Sequence, residues 1–340
     1  MSSTRFFSAI GLRRSRKGQT LDVNYVKVEE LTEASLPASG FALEDLSESQ
    51  VAAALGVAAP SANTPASYSQ RSWVRATLSI TSAEVTCTED AYLRLQLLSR
   101  RLIKPHGIPL AGIFPKLPNL AWSNVGPVLP DEVENLRLEM ILRGESLNIT
   151  HVDKFPYLVN YFLPSGVRIA SGAQVRLGAY LGEGTTIMQA GFVNFNAGTE
   201  GNAMIEGRVS AGVFVAKDSD VGGGASIMGT LSGGGKQVIS IGSKCLLGAN
   251  SGIGISLGFG CTGAAGTYVT AGAKIALLDA ASYPVDLQGH NVPAGKNLFK
   301  GLELSGRDKL LFYTDSTTGQ LVAKPNPKTV ELNPLLHKNG

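Results

Sequence analysis

Two charged residues in the run AMIEGRVSAG, Glu206 and Arg208, have the types and the spacing of a reaction centre. Residues two apart in a strand share a face, so this carboxylate and this guanidinium can point at one cavity. Arginine binds anionic groups in a bidentate manner, and a carboxylate beside it can serve as a nucleophile or a base. The alternative interpretation is an exposed ion pair on the outer surface, which contributes little to stability.

The four histidines all lie outside residues 167–277, at His106, His151, His290 and His337. A reactive base or nucleophile within that segment must therefore be a carboxylate. The acidic candidates there are Glu183, Glu200, Glu206, Asp218 and Asp220. Glu206 is preferred because it alone has an arginine two residues further along.

A six-residue repeat of small aliphatic residues surrounds this pair and predicts a parallel β-helix, in which each hexad supplies one strand and one corner. The first frame contains Ile169, Val175, Leu181, Ile187, Val193, Thr199, Ile205 and Ala211. Later frames contain Val221 and Ile227, then Ile241, Leu247 and Ile253, then Leu257, Val269 and Ile275, with Gly263 at an aliphatic position. The slips between frames indicate a loop or a corner of different width.

The segment 222–235, GGGASIMGTLSGGG, has no side chain large enough to close off the surface. Many hexapeptide-repeat proteins are acyltransferases that use a CoA or carrier-protein thioester, usually with a histidine base. We interpret the segment as a floor on which a pantetheine arm could reach backbone amides; corners and a loop are the alternative. The lysines that could meet CoA phosphates are Lys236, Lys244, Lys274, Lys296 and Lys300.

The regions on either side of the repeat have other patterns, so we predict three domains: an α/β domain at 1–160, the β-helix at 161–277 and a carboxy-terminal extension at 278–340. One helix is expected to start at Thr88 as N-cap and another after Pro130, ending at Gly144. Residues 111–128 read as strand and loop, and 51–67 as a mobile connection. Residues 310–323 predict a β-hairpin that covers the end of the coil.

Composition excludes several classes of protein. The 30 basic and 27 acidic residues give a net charge of only +3, which argues against a general nucleic-acid binder. No apolar run reaches the roughly 18 residues that a membrane-spanning helix requires. The three cysteines, Cys87, Cys245 and Cys261, lack CxxC spacing, and with no signal peptide they favour a reducing cytoplasm. The first seventeen residues contain five basic side chains, which we interpret as a frayed basic terminus; a short organelle-targeting leader is the alternative.

Five runs carry a resemblance to a known family. They are FPYLVNYFLPSGVRIA, GFVNFNAGTEGNAMIEGRVSAGV, DVGGGASIMGTLSGGG, ISIGSKCLLGANSGIGISLG and AGTYVTAG. Over residues 150–277 they closely resemble the 2,3,4,5-tetrahydropyridine-2,6-dicarboxylate N-succinyltransferases of lysine and diaminopimelate biosynthesis, in the actinobacterial-like branch. The match is weaker in the tail and in the amino-terminal domain.

The resemblance implies a cytoplasmic homotrimer of left-handed β-helices, with succinyl-CoA as co-substrate and active sites between subunits. It also implies that Glu206 is the catalytic carboxylate, acting through a mixed anhydride or as a general base. Carried over position by position, the substrate and succinyl-CoA site contains Arg208, Gly223, Ser226, Ala249, Ala264, Ala265, Gly272 and Lys300.

The sequence departs from the family pattern at several of these places. Relatives have an acidic residue where this chain has Ala264, so only a backbone contact is expected there. A pair of arginines expected after LLF is replaced by Tyr313 and Thr314. Acidic residues near the trimer axis fall on Ala173 and Ala190, so no Mg²⁺ is expected at that axis because hard oxygen ligands are missing.

The leading hypothesis is succinyl transfer from CoA to the amino group of ring-opened tetrahydrodipicolinate, giving N-succinyl-2-amino-6-oxopimelate. An acetyl donor or another amine acceptor is the second possibility. A third is a non-catalytic trimeric solenoid, which would tolerate substitution of Glu206 and Arg208. A carbonic anhydrase of the β-helix superfamily is disfavoured, since the coils contain no histidine to bind a metal.

Overall fold

The computed structural model describes residues 5–57, 68–230, 237–328 and 331–332. The chain divides into two compact units. The first comprises Met1–Leu97 and His106–Pro156, and the second comprises Leu98–Pro105 and Tyr157–Gly340. The boundaries at 160 and 277 stay a prediction; within the second unit, the coil and the carboxy-terminal extension share one hydrophobic core.

The first unit contains a four-stranded antiparallel sheet of order β2-β1-β4-β3. Its strands are β1 Phe6–Arg16, β2 Gln19–Leu31, β3 Phe41–Leu46 and β4 Gln70–Ser79. A second antiparallel sheet, of order β6-β5-β7, contains β5 Leu120–Ser123, β6 Gly126–Val128 and β7 Ile149–Asp153. Both sheets of this unit are antiparallel, and the assignment of this region as an α/β domain stays a prediction.

Four helices accompany these sheets along the chain: α1 Glu48–Leu55, α2 Thr88–Ser99, α3 Ile113–Lys116 and α4 Val133–Leu142. Short 3-10 turns occur at Pro130–Glu132, Leu158–Asn160 and Gly172–Gln174. Both predicted helices are confirmed, and Leu95 and Leu98 of α2 are completely buried. The predicted cap is wrong: Thr88 is the first helical residue, and its hydroxyl donates to the carbonyl of Lys116 at 2.7 Å.

The predicted mobile connection at 51–67 is wrong over residues 51–55, which form the end of α1. Val51 is fully buried and packs with Ile10, Leu46 and Trp73, so an apolar contact decides the local structure despite the alanine-rich sequence. Residues 58–67 lie outside the described residues. The segment 111–128 was predicted as strand and loop, and it also contains the short helix α3.

The second unit contains a three-sided solenoid, which confirms the predicted parallel β-helix. The first face consists of β8 Arg168–Ile169, β10 Thr186–Ile187, β13 Met204–Ile205, β16 Asp220–Val221, β19 Leu246–Leu247 and β21 Thr262–Gly263. The second face consists of β11 Phe192–Val193, β14 Arg208–Val209, β17 Ser226–Ile227, β20 Gly252–Gly254 and β22 Tyr268–Thr270. The third face consists of β9 Tyr180–Leu181, β12 Gly198–Thr199, β15 Phe214–Val215 and β18 Ser240–Ile241.

Inward-pointing aliphatic side chains fill the coil, and most hexad positions are fully buried. The frame slips earlier than the repeat predicts. Ala211 was assigned to the interior but is partly exposed, whereas Val209 and Val215 are completely buried. The only polar residue in the predicted frames, Thr199, is also buried, and its hydroxyl shares a 2.7 Å hydrogen bond with the Thr185 hydroxyl. This bond removes the cost of burying both groups.

The carboxy-terminal extension continues the coil and closes its core. It follows β23 Lys274–Leu277 and contains β24 Leu298–Lys300, α5 Gly301–Leu304, β25 Leu310–Thr314 and β26 Leu321–Pro325. The predicted hairpin is confirmed, because β25 and β26 pair antiparallel. Strand β25 also pairs parallel with β21, which places Phe312 opposite Gly263 and buries its ring completely.

Phe312→Ala should destabilise this unit by about 3–5 kcal/mol, because it leaves a cavity at the end of the core. The change in unfolding free energy can be measured by urea titration. Tyr313→Ala is the matched control on the same strand: this ring is partly exposed beside the Lys324 ammonium, 5.4 Å from its centroid, so about 1 kcal/mol or less is expected. Equal small losses for both variants would show that the hairpin does not close the core.

Candidate active site

Most of the predicted site residues gather along one edge of the solenoid, where corners join the first face to the second. The corner between β10 and β11 contains four residues, and so do those between β16 and β17, β19 and β20, and β21 and β22. The corner between β13 and β14 contains only Glu206 and Gly207. A corner two residues shorter protrudes less than the corners stacked on either side. Glu206 therefore lies in a notch in this edge.

The backbone of Glu206 is fixed by the neighbouring coil. Its N–H donates to the Val221 carbonyl at 2.7 Å, and its own carbonyl accepts from the N–H of Gly224 at 3.2 Å. Oε2 of Glu206 lies 3.6 Å from the point that a Cβ on Gly223 would occupy. The glycine at 223 thus leaves open space beside the carboxylate. In the part of the chain that the structure describes, this partly buried carboxylate has no hydrogen-bond or ion-pair partner.

Arg208 is the next outward-facing residue, at the start of β14, and its side chain is exposed. Its Nη2 donates to the Ser226 hydroxyl at 2.6 Å, and Ser226 is also its partner in the strand register. No ion pair joins Arg208 to Glu206 among the described residues, so the surface ion-pair interpretation is wrong. A guanidinium has five N–H donors, and the bond to Ser226 leaves others for an anionic ligand.

The small residues predicted to bind the donor form what we call the corner track: Gly223, Ala249, Ala264 and Ala265. They occupy successive corners of the same edge. The N–H of Asn250 donates to the Gly223 carbonyl, and the N–H of Gly266 donates to the Ala249 carbonyl, both at 2.9 Å. Successive coils are about 4.8 Å apart. The corner track therefore runs about 14 Å away from Glu206 over three coils.

Gly272 and Lys300 lie apart from this edge. Gly272 follows β22, at the opposite edge of the second face, and Lys300 in β24 pairs with Lys274 in β23. The N–H of Gly301 donates to the Ala273 carbonyl at 2.9 Å, which brings these two predicted residues near one another. The structure thus groups the predicted residues along the two edges and the outer surface of the second face.

Comparisons with known proteins identify the family. A family profile described as the middle region of tetrahydrodipicolinate N-succinyltransferase matches residues 117–157, and one described as the hexapeptide repeat of succinyl-transferase matches 238–271. A 2,3,4,5-tetrahydropyridine-2,6-dicarboxylate N-succinyltransferase from Pseudomonas putida is 49% identical over 356 aligned positions, covering 100% of both chains. The chain belongs to the tetrahydropyridine-dicarboxylate N-succinyltransferase family.

Two further relatives agree with this membership. The Vibrio cholerae protein of the same name is 52% identical over 74% of this chain and 70% of its own length. A solved structure from Campylobacter jejuni, described provisionally as a 2,3,4,5-tetrahydropyridine-2-carboxylate N-succinyltransferase, aligns with a TM-score of 0.80 and 31% identity. That alignment covers 96% of this chain and 93% of that one. The predicted family and enzyme class are confirmed, whereas the actinobacterial-like branch stays a prediction.

Ala173 and Ala190, which stand where acidic residues were expected, are both exposed. Among the described residues, no group of three or more His, Cys, Asp and Glu side chains is arranged to hold a metal ion. The absence of Mg²⁺ from the trimer axis stays a prediction. The three cysteines are free thiols, and Cys245 and Cys261 are completely buried.

A separate polar cavity of about 290 Å³ lies in the first unit of the N-succinyltransferase, next to Glu132. This carboxylate forms an ion pair with Lys17 and accepts from the Tyr68 hydroxyl at 2.6 Å and from Arg16 Nε at 2.8 Å. These donors, Lys17 first, lower the pKa of Glu132 to about 2, while burial and then Glu132 raise the pKa of Tyr68 to about 12. The charged groups satisfy one another, so we assign no ligand to this cavity.

Within the described helices of this family member, none is long and apolar enough to cross a membrane. The predicted cytoplasmic location is a separate matter and stays a prediction.

Two glycines beside Glu206 should respond differently to a methyl group. Gly207→Ala should lower the thermal midpoint, because its Cβ would lie 2.3 Å from the Ala225 carbonyl oxygen, a backbone atom. Gly223→Ala should leave the midpoint unchanged within a few degrees, since its nearest contact is the Glu206 carboxylate at 3.6 Å. We expect Gly223→Ala to slow acyl transfer at least about tenfold, because the added methyl group crowds that carboxylate. A tenfold slower rate corresponds to an increase of about 1.4 kcal/mol in the activation free energy.

Thermal unfolding and initial rates on the same preparations check this pair. A Gly223→Ala variant that is as active as the parent would mean that the space beside Glu206 is not used by a substrate.

Proposed function

We propose that this chain transfers the succinyl group of succinyl-CoA to the amino group of ring-opened tetrahydrodipicolinate. The products are N-succinyl-2-amino-6-oxopimelate and CoA, in lysine and diaminopimelate biosynthesis. Membership of the N-succinyltransferase family supports the reaction, and the relatives' names supply the acceptor. The unpaired carboxylate of Glu206 in the notch is the observation that supports assigning the reaction to particular residues.

An unpaired carboxylate suits acyl transfer because its lone pairs are available. An ion pair with arginine would hold those lone pairs and lower the basicity of the group. Within the described residues, Arg208 donates to Ser226 and leaves Glu206 free. Glu206 is therefore proposed as the catalytic residue, with the succinyl carbonyl bound next to Gly223.

Two routes for Glu206 balance chemically, and we keep both. In the first, its carboxylate attacks the thioester carbonyl, the C–S bond breaks, and the thiolate leaves and takes up a proton. The amine then attacks the mixed anhydride, loses a proton and releases the carboxylate. In the second, Glu206 accepts the proton of the amine as the amine attacks the thioester directly, and returns that proton to the leaving thiolate.

The remaining predicted residues bind and orient the substrates. Arg208 is proposed to bind a substrate carboxylate with the guanidinium donors that Ser226 leaves free. The corner track offers backbone N–H and C=O groups and very small side chains, which suits the amides of an extended pantetheine arm. Gly272 and Lys300 are proposed to contact the donor at the opposite edge of the second face. Ala264, like its neighbour Ala265, contributes backbone contacts only.

We also propose that the active enzyme is a cytoplasmic homotrimer of left-handed coils. The notch and the corner track lie on the outer surface of one chain, and a neighbouring subunit would supply the second wall of a cleft. Such a wall would exclude water from the thioester and the amine. Sedimentation velocity would test this assembly: a monomer at concentrations that support full activity would contradict it.

Glu206→Gln should lower turnover about 100-fold or more, because an amide neither attacks the thioester nor accepts a proton at neutral pH. Turnover is measured as thiol release from succinyl-CoA in the presence of tetrahydrodipicolinate. Glu183→Gln is the matched control, since Glu183 is an exposed carboxylate of the same solenoid and lies outside the proposed site. Near-normal turnover of Glu206→Gln would remove this residue from the mechanism.

One further measurement separates the two routes. Rapid mixing of enzyme and succinyl-CoA without acceptor should release one CoA per active site if Glu206 forms the anhydride, and none if it acts only as a base. Comparing acetyl-CoA with succinyl-CoA in the same assay tests the alternative donor.

A further inference from the structure

The outer surface of the second face carries one row of residues in strand register: Phe192, Arg208, Ser226, Gly252 and Tyr268. Each precedes an inward-pointing aliphatic residue, so their side chains point outward. Gly252 has no side chain, and the Tyr268 ring occupies its place. A Cβ on Gly252 would lie 2.1 Å from Cδ1 and 2.2 Å from Cε1 of that ring. Tyr268 is therefore held against the sheet, towards Ser226.

Tyr268 is also exposed to an unusual degree for an aromatic residue, at 56%. A tyrosine ring that packs on backbone while more than half of the residue stays accessible offers a flat apolar surface to a ligand. It follows directly after the corner that contains Ala264 and Ala265. It thus lies at the end of the corner track remote from Glu206, about 14 Å along the coil axis.

Two lysines lie past the opposite edge of the second face, on the side of Tyr268 away from the corner track. Lys274 and Lys300 are opposite each other in the antiparallel pair β23–β24, and both are exposed. Like charges directly opposite on paired strands repel each other. Neither ammonium has an ion-pair partner in the described parts of the chain. An anionic ligand would remove this repulsion, so the strand pair is suited to phosphate groups.

We propose that Tyr268 is the aromatic platform on which the adenine base of the CoA donor stacks. The inference rests on the proposed function, since it assumes a CoA thioester whose acyl end lies at Glu206. Any nucleobase can stack on an aromatic side chain, because every base has a π face. The order of features along the face matches the donor: a carboxylate at the thioester end, a backbone track, then an aromatic ring and two cations.

The test measures binding, so it does not depend on turnover. Calorimetric titration with CoA should give a dissociation constant about tenfold higher for Tyr268→Leu, as expected for loss of one stacking contact. Titration with 4′-phosphopantetheine, which has the same arm but no adenosine, should give constants that differ less than twofold. Tyr268→Phe should restore the affinity for CoA, because the ring and not the hydroxyl makes the contact.

Two more variants sharpen the experiment. Gly252→Ala keeps the tyrosine but places a methyl group where the ring lies, so it should weaken CoA binding and leave 4′-phosphopantetheine unaffected. Tyr283→Leu is the control, since Tyr283 is a 62% exposed tyrosine in a turn outside the proposed site. Equal weakening of both ligands by Tyr268→Leu, or no weakening of CoA binding, overturns the platform. If the parent protein shows no turnover, but Tyr268→Leu still weakens binding of CoA and not of 4′-phosphopantetheine, the result contradicts the proposed reaction and leaves the platform standing.

Discussion

Backbone hydrogen bonds between successive coils are the constraint on which the rest of this structure depends. Each short strand pairs in parallel with the strands one coil away, so every corner is tied to the corners next to it. When a corner loses two residues, the neighbouring coils keep their positions because their own pairing holds them. The shortage becomes a fixed notch in the edge. The N–H of Glu206 bonded to Val221 and the N–H of Gly224 bonded to Glu206 show this pairing at the site itself.

The small residues of the coil follow from the same constraint. Backbones that are one β-sheet spacing apart leave almost no room at the corners, as the clash distance between a Cβ on Gly207 and the Ala225 carbonyl shows. Yet Gly223, in the next corner, has space around it. Glycine thus serves close packing at one position and an open floor beside a carboxylate at the other. Composition alone cannot separate these two uses.

The six-residue repeat predicted the architecture because the aliphatic side chain of each hexad can be buried only in the interior of the narrow coil. It failed at Ala211 because the first frame was extended through that residue, whereas the coil interior uses the frame of Val209, Val215, Val221 and Ile227. Only the pairing of β14 with β17 selects Val209 as the inward residue and so reveals the two-residue corner.

The candidate site, like the coil, was predicted in part from the sequence. Glu206 and Arg208 stand out by type and spacing, and the family resemblance supplied the small residues around them. The partner of Arg208 could not be read from the chain, because Ser226 lies one coil away. Tyr268 was missed for a similar reason: its packing on Gly252 is a contact between coils, and the sequence shows only an exposed strand position.

The layout of charge along the second face follows from the chemistry proposed for it. A CoA thioester carries several negative charges at its nucleotide end, and a catalytic carboxylate would repel them at short range. The corner track separates the two ends by about 14 Å. At physiological ionic strength this exceeds the Debye length of about 8 Å, so the repulsion between exposed charges is largely screened. Lys274 and Lys300 can then attract the nucleotide end while Glu206 lies at the thioester end. With a shorter track, the carboxylate of Glu206 would repel the phosphates that the two lysines attract.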